Sequence, residues 1–237
     1  MYPLPKNGQW AYNASNMTIR IIYSVIRGDS TIMNQKFYDL PKEKQIRIIN
    51  AGYRVFSRNT YKKSPMNEIA AEAGISKSLL FFYFRNKMEL YLFLWEEVSR
   101  LTQAYLKEYG AYDTPDFFEM LRRGLDAKCK IIECYPDLTT FTVKAFYETE
   151  PEIHKAIHEN YDQKRSLYSA SALGLINPAI FRPEIDFETM IREMYWAAEG
   201  YMMDAHKSGP IDADKLKKDF SKVIELWKTA YCKGEFL

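Results

Sequence analysis

His154 and His158 stand four residues apart, with Glu150 close by, and that spacing on a helix puts both imidazoles on one face, where they could share a metal. No convincing third ligand accompanies them, so the pair reads as a solvated face and no metal site is assigned. Covalent and phosphoryl chemistry find no foothold: the chain has no glycine-rich phosphate cradle, no GxSxG elbow and no HExxH. No catalytic residue and no cofactor is assigned, and an enzyme is not expected. Cys129, Cys134 and Cys232 form neither an even disulfide set nor a CxxC pair, which fits a reducing cytoplasm. The remaining candidate chemistry is polar contact with a polyanion. Ser76-Lys77-Ser78 opens a short amphipathic segment directly after Gly74-Ile75, within a strongly basic stretch.

Charge supports that reading. The 237 residues carry 33 basic and 31 acidic side chains, a near-balance that hides a gradient. Residues 1–90 hold 14 basic and 6 acidic groups, whereas the remainder holds 19 basic and 25 acidic. A basic amino-terminal head on an acidic body suits a polyanion binder with a second task. The longest unbroken apolar runs, Leu79 to Phe84 and Leu90 to Trp95, fall far below the ~20 residues of a membrane span. No membrane association is expected.

The elements that must position these residues are helical. Ile46, Ile49, Tyr53 and Phe56 recur at three- and four-residue spacing, which gathers them on one helix face after Pro41. Ser64-Pro65 starts a second helix, Gly74 ends it, Ser76 caps a third ending near Phe84, and Asn86-Lys87-Met88-Glu89 has the form of a capping box for a fourth. Further helices are expected near residues 88–109, 116–134, 138–148, 151–173, 187–207 and 213–233, separated by glycine and proline signals. No strand-like alternation competes, so the fold class is all-α: a small three-helix head, a linking helix and a larger helical body. The expected division is an extension over 1–40, a head domain over 41–87 and a helical body domain over 88–237. Arg27-Gly28-Asp29 admits purine-rich codons resembling a ribosome-binding site just ahead of Met33, which gives the expectation that residues 1–32 are untranslated.

A short helix, a glycine turn and a second amphipathic helix in a basic head form a helix-turn-helix, with Gly74 and Ile75 as the turn. At Ile48 to Phe56, Ser64 to Ala70, Ala73 to Ser78, Leu80 to Phe84, Asn86-Lys87 and Glu89-Leu90 the sequence resembles the TetR family of transcriptional regulators, over about 55 residues from Pro41 to Trp95. Three positions depart from the family pattern. Thr60 replaces a usual glycine before Tyr61, so Asn59 is expected to turn left-handed, while Leu79 and Phe82 replace polar residues on the presumed DNA face. Position on a recognition helix then gives Lys77 and Ser78 as base readers, with Leu79 or Phe82 packing on a thymine methyl. Lys63, Ser64, Tyr83 and Lys87 are expected on phosphates.

A two-fold DNA site calls for two heads, hence a homodimer on a double-stranded operator. The resemblance implies an interface from the last two long helices, with Met190, Met194, Ala198, Tyr201, Phe220, Val223 and Trp227. It also implies a ligand cavity, here rich in aromatics: Tyr105, Phe118, Phe141, Phe146, Tyr147, Tyr168, Tyr195 and Trp196, with Glu199 as a polar group. Such a lining suits a small apolar or cationic aromatic ligand. The expected function is a repressor released from a palindromic operator by that ligand. The alternative, motivated by Leu79 and Phe82, is a helical ligand-binding or interaction dimer whose head no longer reads specific DNA.

Overall fold

The computed structural model describes residues 35–174 and 176–236, and the side chains of these except 35 and 166–173. Residues 1–32, and with them the start-site expectation, lie outside the described residues. Two compact units divide between Glu97 and Val98. The described residues are helical, with a single isolated antiparallel bridge between Phe181 and Cys232. None of the described helices is long and apolar enough to cross a membrane.

In the first unit, α1 (Gln35–Tyr38) precedes α2 (Lys42–Arg58), α3 (Met66–Glu72), α4 (Lys77–Tyr83) and the opening turns of α5 (Lys87–Glu108). Pro41 sits at the α2 entry with φ −52° and ψ 140°, and its carbonyl accepts from Lys44 N–H at 2.9 Å, as a preset non-helical cap residue should. The far end of α2 departs from expectation. Asn59 is extended (φ −121°, ψ 166°), because both its backbone N–H and its side-chain amide donate to the Val55 carbonyl at 3.2 Å. That satisfies the helix end without a left-handed residue. The α3 helix also starts one residue later than predicted, since Pro65 is the cap and Ser64 is wholly buried.

The head core is aromatic and closed. Ile48, Phe56, Ile69, Leu80, Phe84, Leu90 and Leu94 are 1% exposed or less. Leu90, Tyr91, Phe93 and Leu94 of α5 are all buried in this core, so the first unit extends ten residues past the expected boundary at 87. Where α2 meets α5 the helices touch almost without side chain: a Cβ on Gly52 would lie 2.6 Å from Leu94 Cδ1. Leu94 is fully buried, so its side chain would have to shift within the core. Gly52→Ala is therefore expected to cost about 1–3 kcal/mol through overpacking, despite alanine's better helix propensity. A urea midpoint equal to that of the unsubstituted protein would refute this close approach.

The second unit contains the end of α5, then α6 (Phe117–Cys134), α7 (Pro136–Phe146), α8 (Pro151–Leu173), α9 (Phe187–Lys207) and α10 (Ala213–Tyr231). Aspartates cap three of these starts: Asp116 accepts from Phe118 and Glu119 N–H, Asp186 from Thr189 N–H, and Asp212 from Lys215 N–H. The α7 helix begins two residues earlier than predicted, because Pro136 occupies the first turn, where its missing N–H costs nothing. Helices α6 and α10 pack together, and Phe117, Phe118, Ile132, Met190, Met194, Leu216, Ile224 and Trp227 share one core. The three cysteines are unbonded, and burial, assisted by Asp126, pushes the Cys129 thiol up to about 11.

Candidate nucleic-acid interface

The helix-turn-helix is built from α3, a glycine turn and α4. Gly74 has φ +67°, in the left-handed region that glycine reaches without steric cost. Its N–H donates to the Ala71 carbonyl and that of Ile75 to Ala70, closing the α3 end in the reciprocal pattern of a glycine cap. Ser76 then caps α4, accepting from Leu79 N–H at 3.2 Å, and its hydroxyl lies 3.0 Å from that of Ser78. An ion-pair clamp holds α3 against α2: Arg54 meets Glu72 at 2.9 Å and Arg58 meets it at 3.3 Å. The hydrogen bond from Arg54 holds the Glu72 carboxyl below its usual range.

This frame sorts α4 into two faces. Leu80 and Tyr83, with Phe84 just beyond the helix, are buried; Lys77, Ser78, Leu79, Phe81 and Phe82 are exposed. Phe82 is 47% exposed, a large apolar area to leave in water on a helix that already buries its other side. Lys77 Nζ lies 5.9 Å from the centroid of the Phe81 ring. The predicted base readers thus share one outward face.

The expected phosphate ligands divide. Lys63 is exposed in the loop before α3. Ser64 is turned inward, its hydroxyl donating to the Thr60 carbonyl at 2.9 Å, so it closes the loop and offers nothing to a phosphate in this arrangement. The Tyr83 ring is buried against Phe37, while its hydroxyl makes no hydrogen bond to any described residue. Lys87 reaches back to the same loop: Nζ donates to the Tyr61 carbonyl at 2.7 Å and the Lys62 carbonyl at 3.2 Å, and lies 4.5 Å from the Tyr61 ring centroid. An ammonium has three donors, and these carbonyls take two of them. The capping box at α5 is realised with a shift. Asn86 Oδ1 accepts from Glu89 N–H at 2.8 Å, but the Glu89 carboxylate returns to the N–H and guanidinium of Arg85.

The body residues are placed as follows. Tyr105, Phe118 and Phe141 are buried, Phe118 within the core shared by α6, α9 and α10. The side chain of Tyr168 lies outside the described residues. Phe146, Tyr147, Tyr195 and Glu199 gather where α7, α8 and α9 meet. There the Tyr161 hydroxyl donates to Glu199 Oε1 at 2.9 Å and the Tyr147 hydroxyl to the Glu199 carbonyl at 3.2 Å. Burial, then the adjacent Glu199 charge, raises the Tyr161 phenol above its ordinary range and keeps it a donor. The Arg165 guanidinium lies 5.8 and 5.6 Å from the Tyr161 and Tyr195 ring centroids. The cation seat formed by these rings is therefore filled by the protein's own arginine. Trp196 is 59% exposed and lies beside Arg192.

Of the residues assigned to a subunit interface, Met190, Met194 and Trp227 are buried in the body core, and Tyr201, Phe220 and Val223 pack against it half-buried; Ala198 is also half-buried. The exposed large apolar groups of α9 and α10 are Trp196, Met203 and Leu226. His154 and His158 pack with ring centroids 4.2 Å apart and planes tilted by 38°. Each spends one ring nitrogen on a backbone carbonyl, His154 Nδ1 on Glu148 and His158 Nε2 on Phe146, at 3.0 and 2.9 Å. No group of three potential metal ligands occurs among the described residues. The α1 helix lies within the expected extension over 1–40, where no helix is predicted, although the adjacent aromatics Phe37 and Tyr38 just ahead of Pro41 are a usable signal.

Comparison with known proteins agrees with this architecture. Residues 48–93 match the family model for bacterial regulatory proteins of the tetR family. The HTH-type transcriptional activator FasR of Mycolicibacterium smegmatis is 30% identical over 122 residues, covering 51% of this chain and 55% of that protein. The fatty acid metabolism regulator protein of Bacillus subtilis is 32% identical over 56 residues, covering 24% of this chain and 29% of that protein. The chain thus spans about half the length of the first relative and under a third of the second. A TetR family transcriptional regulator from Chloroflexus aurantiacus superposes with a TM-score of 0.61 at 20% identity, over 86% of this chain and all of that one, which is a likeness of fold. The motif and the turn geometry thus agree with the match: residues 48–93 form a head similar to that of bacterial regulatory proteins of the tetR family, on a helical body that shares the fold of a solved regulator.

Proposed function

We propose that the protein is a homodimeric, cytoplasmic DNA-binding transcriptional regulator, released from a two-fold operator by a small apolar ligand. The observation that carries the reading is the outward face of α4, where Lys77, Ser78, Leu79 and Phe82 stand exposed on a helix whose opposite side is locked into a closed core. Lys77 can donate to guanine O6 and N7, and the apolar pair suits thymine methyls. Replacing polar residues with Leu79 and Phe82 then moves specificity from hydrogen bonds toward methyl contacts. It does not remove the phosphate grip of Lys63, Tyr83 and Lys87.

Dimerisation through α9 and α10 is supported by the exposed Trp196, Met203 and Leu226, since the buried methionines of α9 serve the chain's own core. For the ligand, Arg165 on the Tyr161 and Tyr195 rings argues against a cation and for an apolar molecule, and an acyl chain accords with the fatty-acid roles in the name of the Bacillus relative. Because α5 begins in the head unit and ends in the body unit, a ligand that alters its path would alter head spacing, with a coupling on the order of 1–3 kcal/mol. The name of one relative is that of an activator, and repression or activation would follow from where the operator lies relative to a promoter. The reading is tested by selecting bound duplexes from a random-sequence pool. Recovery of an inverted repeat with half-sites about one helical turn apart is expected, and recovery of unrelated sequences would refute it.

A further inference from the structure

The α6 helix carries its charges on one side and its apolar residues on the other, with one exception. Glu119 pairs with Arg122 and Arg123, Arg122 also with Glu225, Asp126 with Lys217 and Lys130 with Glu133, so every other charged side chain of α6 has a partner. Lys128 stands on the opposite side. Leu121, Leu125 and Ile132 precede or follow it by seven, three and four residues, which at helical spacing puts them on its face, together with Gly124. Leu125 and Ile132 belong to the core that holds Met190 and Met194 of α9, and a Cβ on Gly124 would lie 3.6 Å from Leu106 Cδ2 of α5. Lys128 is therefore placed where α6 faces α5 on one flank and α9 on the other.

Its ammonium makes no hydrogen bond or ion pair with any described residue. The side chain is nevertheless exposed, while desolvation by the surrounding protein lowers its pKa from the usual lysine value. Both hold where an amine stands in a recess of the body that water reaches. An unpaired cation between apolar walls costs stability unless an anion compensates it. We propose that Lys128 is the polar anchor of the ligand site in the body and fixes the carboxylate of a long-chain amphiphile, whose chain lies against the apolar side of α6. The proposal rests on the reading above that the body takes a small apolar ligand, and it adds an anionic head to that ligand. One ammonium balances one negative charge, so a carboxylate fits where a phosphate dianion would keep charge uncompensated.

The assignment is tested by isothermal titration calorimetry of the full chain, stripped of lipid, with dodecanoate and with dodecan-1-ol, each kept below the concentration at which it aggregates. Lys128→Met keeps an unbranched apolar stem and removes the charge. It should melt no lower than the unsubstituted protein, since the ammonium has no partner to lose. The expected result is that Lys128→Met binds dodecanoate about tenfold to a hundredfold more weakly and dodecan-1-ol as before, while Lys128→Arg retains dodecanoate. Equal dodecanoate affinity in Lys128→Met and the unsubstituted protein overturns the anchor and leaves an apolar ligand site. Equal loss of both compounds also overturns it, by making Lys128 a structural support. Unsubstituted protein that binds neither compound overturns the ligand reading and this assignment with it.

Discussion

Replacing Lys87 with alanine is expected to lower operator affinity by about tenfold to a hundredfold, because one side chain serves two purposes. Its ammonium ties the Tyr61 and Lys62 carbonyls to the start of α5, which orders the loop that carries Lys63 into α3. Hydrogen bonds from a charged donor contribute roughly 1.5–3 kcal/mol, which corresponds to that range of affinity if the loop must re-order on binding. The phosphate contact proposed for the same ammonium is lost as well. Lys87→Arg should recover only part of the affinity, since a planar guanidinium cannot repeat a point-charge geometry aimed at two carbonyls and a ring. Anisotropy at one fixed salt concentration reads the result. Unchanged affinity for Lys87→Ala would remove this residue from the interface and leave it a loop fastener.

The second large effect is expected in the core beneath the recognition helix. Phe84 is fully buried, its N–H closes α4 on the Leu80 carbonyl at 2.9 Å, and its ring meets Phe37 and Phe93 at 5.1 and 5.2 Å. Phe84→Ala should cost about 3–5 kcal/mol, the range for truncating a buried phenylalanine. The loss belongs to the head unit. Hydrogen exchange followed by mass spectrometry resolves it, with amides of α2 and the first turns of α5 exchanging about a hundredfold faster or more, and those of α10 little changed. Equal acceleration in both units would mean that they unfold as one, against the division at Glu97.

How much of this was legible in the sequence varies with the kind of signal. Gly74, Ser76 and Asn86 act through local backbone chemistry, and the structure uses each as the residue type dictates, so the turn and the starts of α4 and α5 could be read directly. Asn59 and Ser64 could not. Each had two satisfactory local partners, and which one it takes depends on where the Val55 and Thr60 carbonyls end up. Residues of α9 and α10 pose a different difficulty. Met190, Met194 and Trp227 have the spacing of an apolar stripe, and a stripe facing a partner subunit has the same spacing as one facing the chain's own core. Only three-dimensional packing separates them from the exposed Trp196, Met203 and Leu226. The α1 segment is too short to show a period, so only the adjacent aromatics Phe37 and Tyr38 mark it in the sequence.

The regulator account depends most on whether the exposed apolar residues of α4 read sequence. The measurement that tests this is the ratio of affinities, at one moderate salt concentration, for the selected operator and for a scrambled duplex of equal length and composition. Specific protein–DNA complexes exceed their own non-specific binding by roughly 10³-fold or more, and a ratio in that range, reduced by Lys77→Ala and by Phe82→Ala, is the predicted result. Equal affinity for the two duplexes would contradict the account and return the protein to a helical binding dimer whose head holds DNA without reading it.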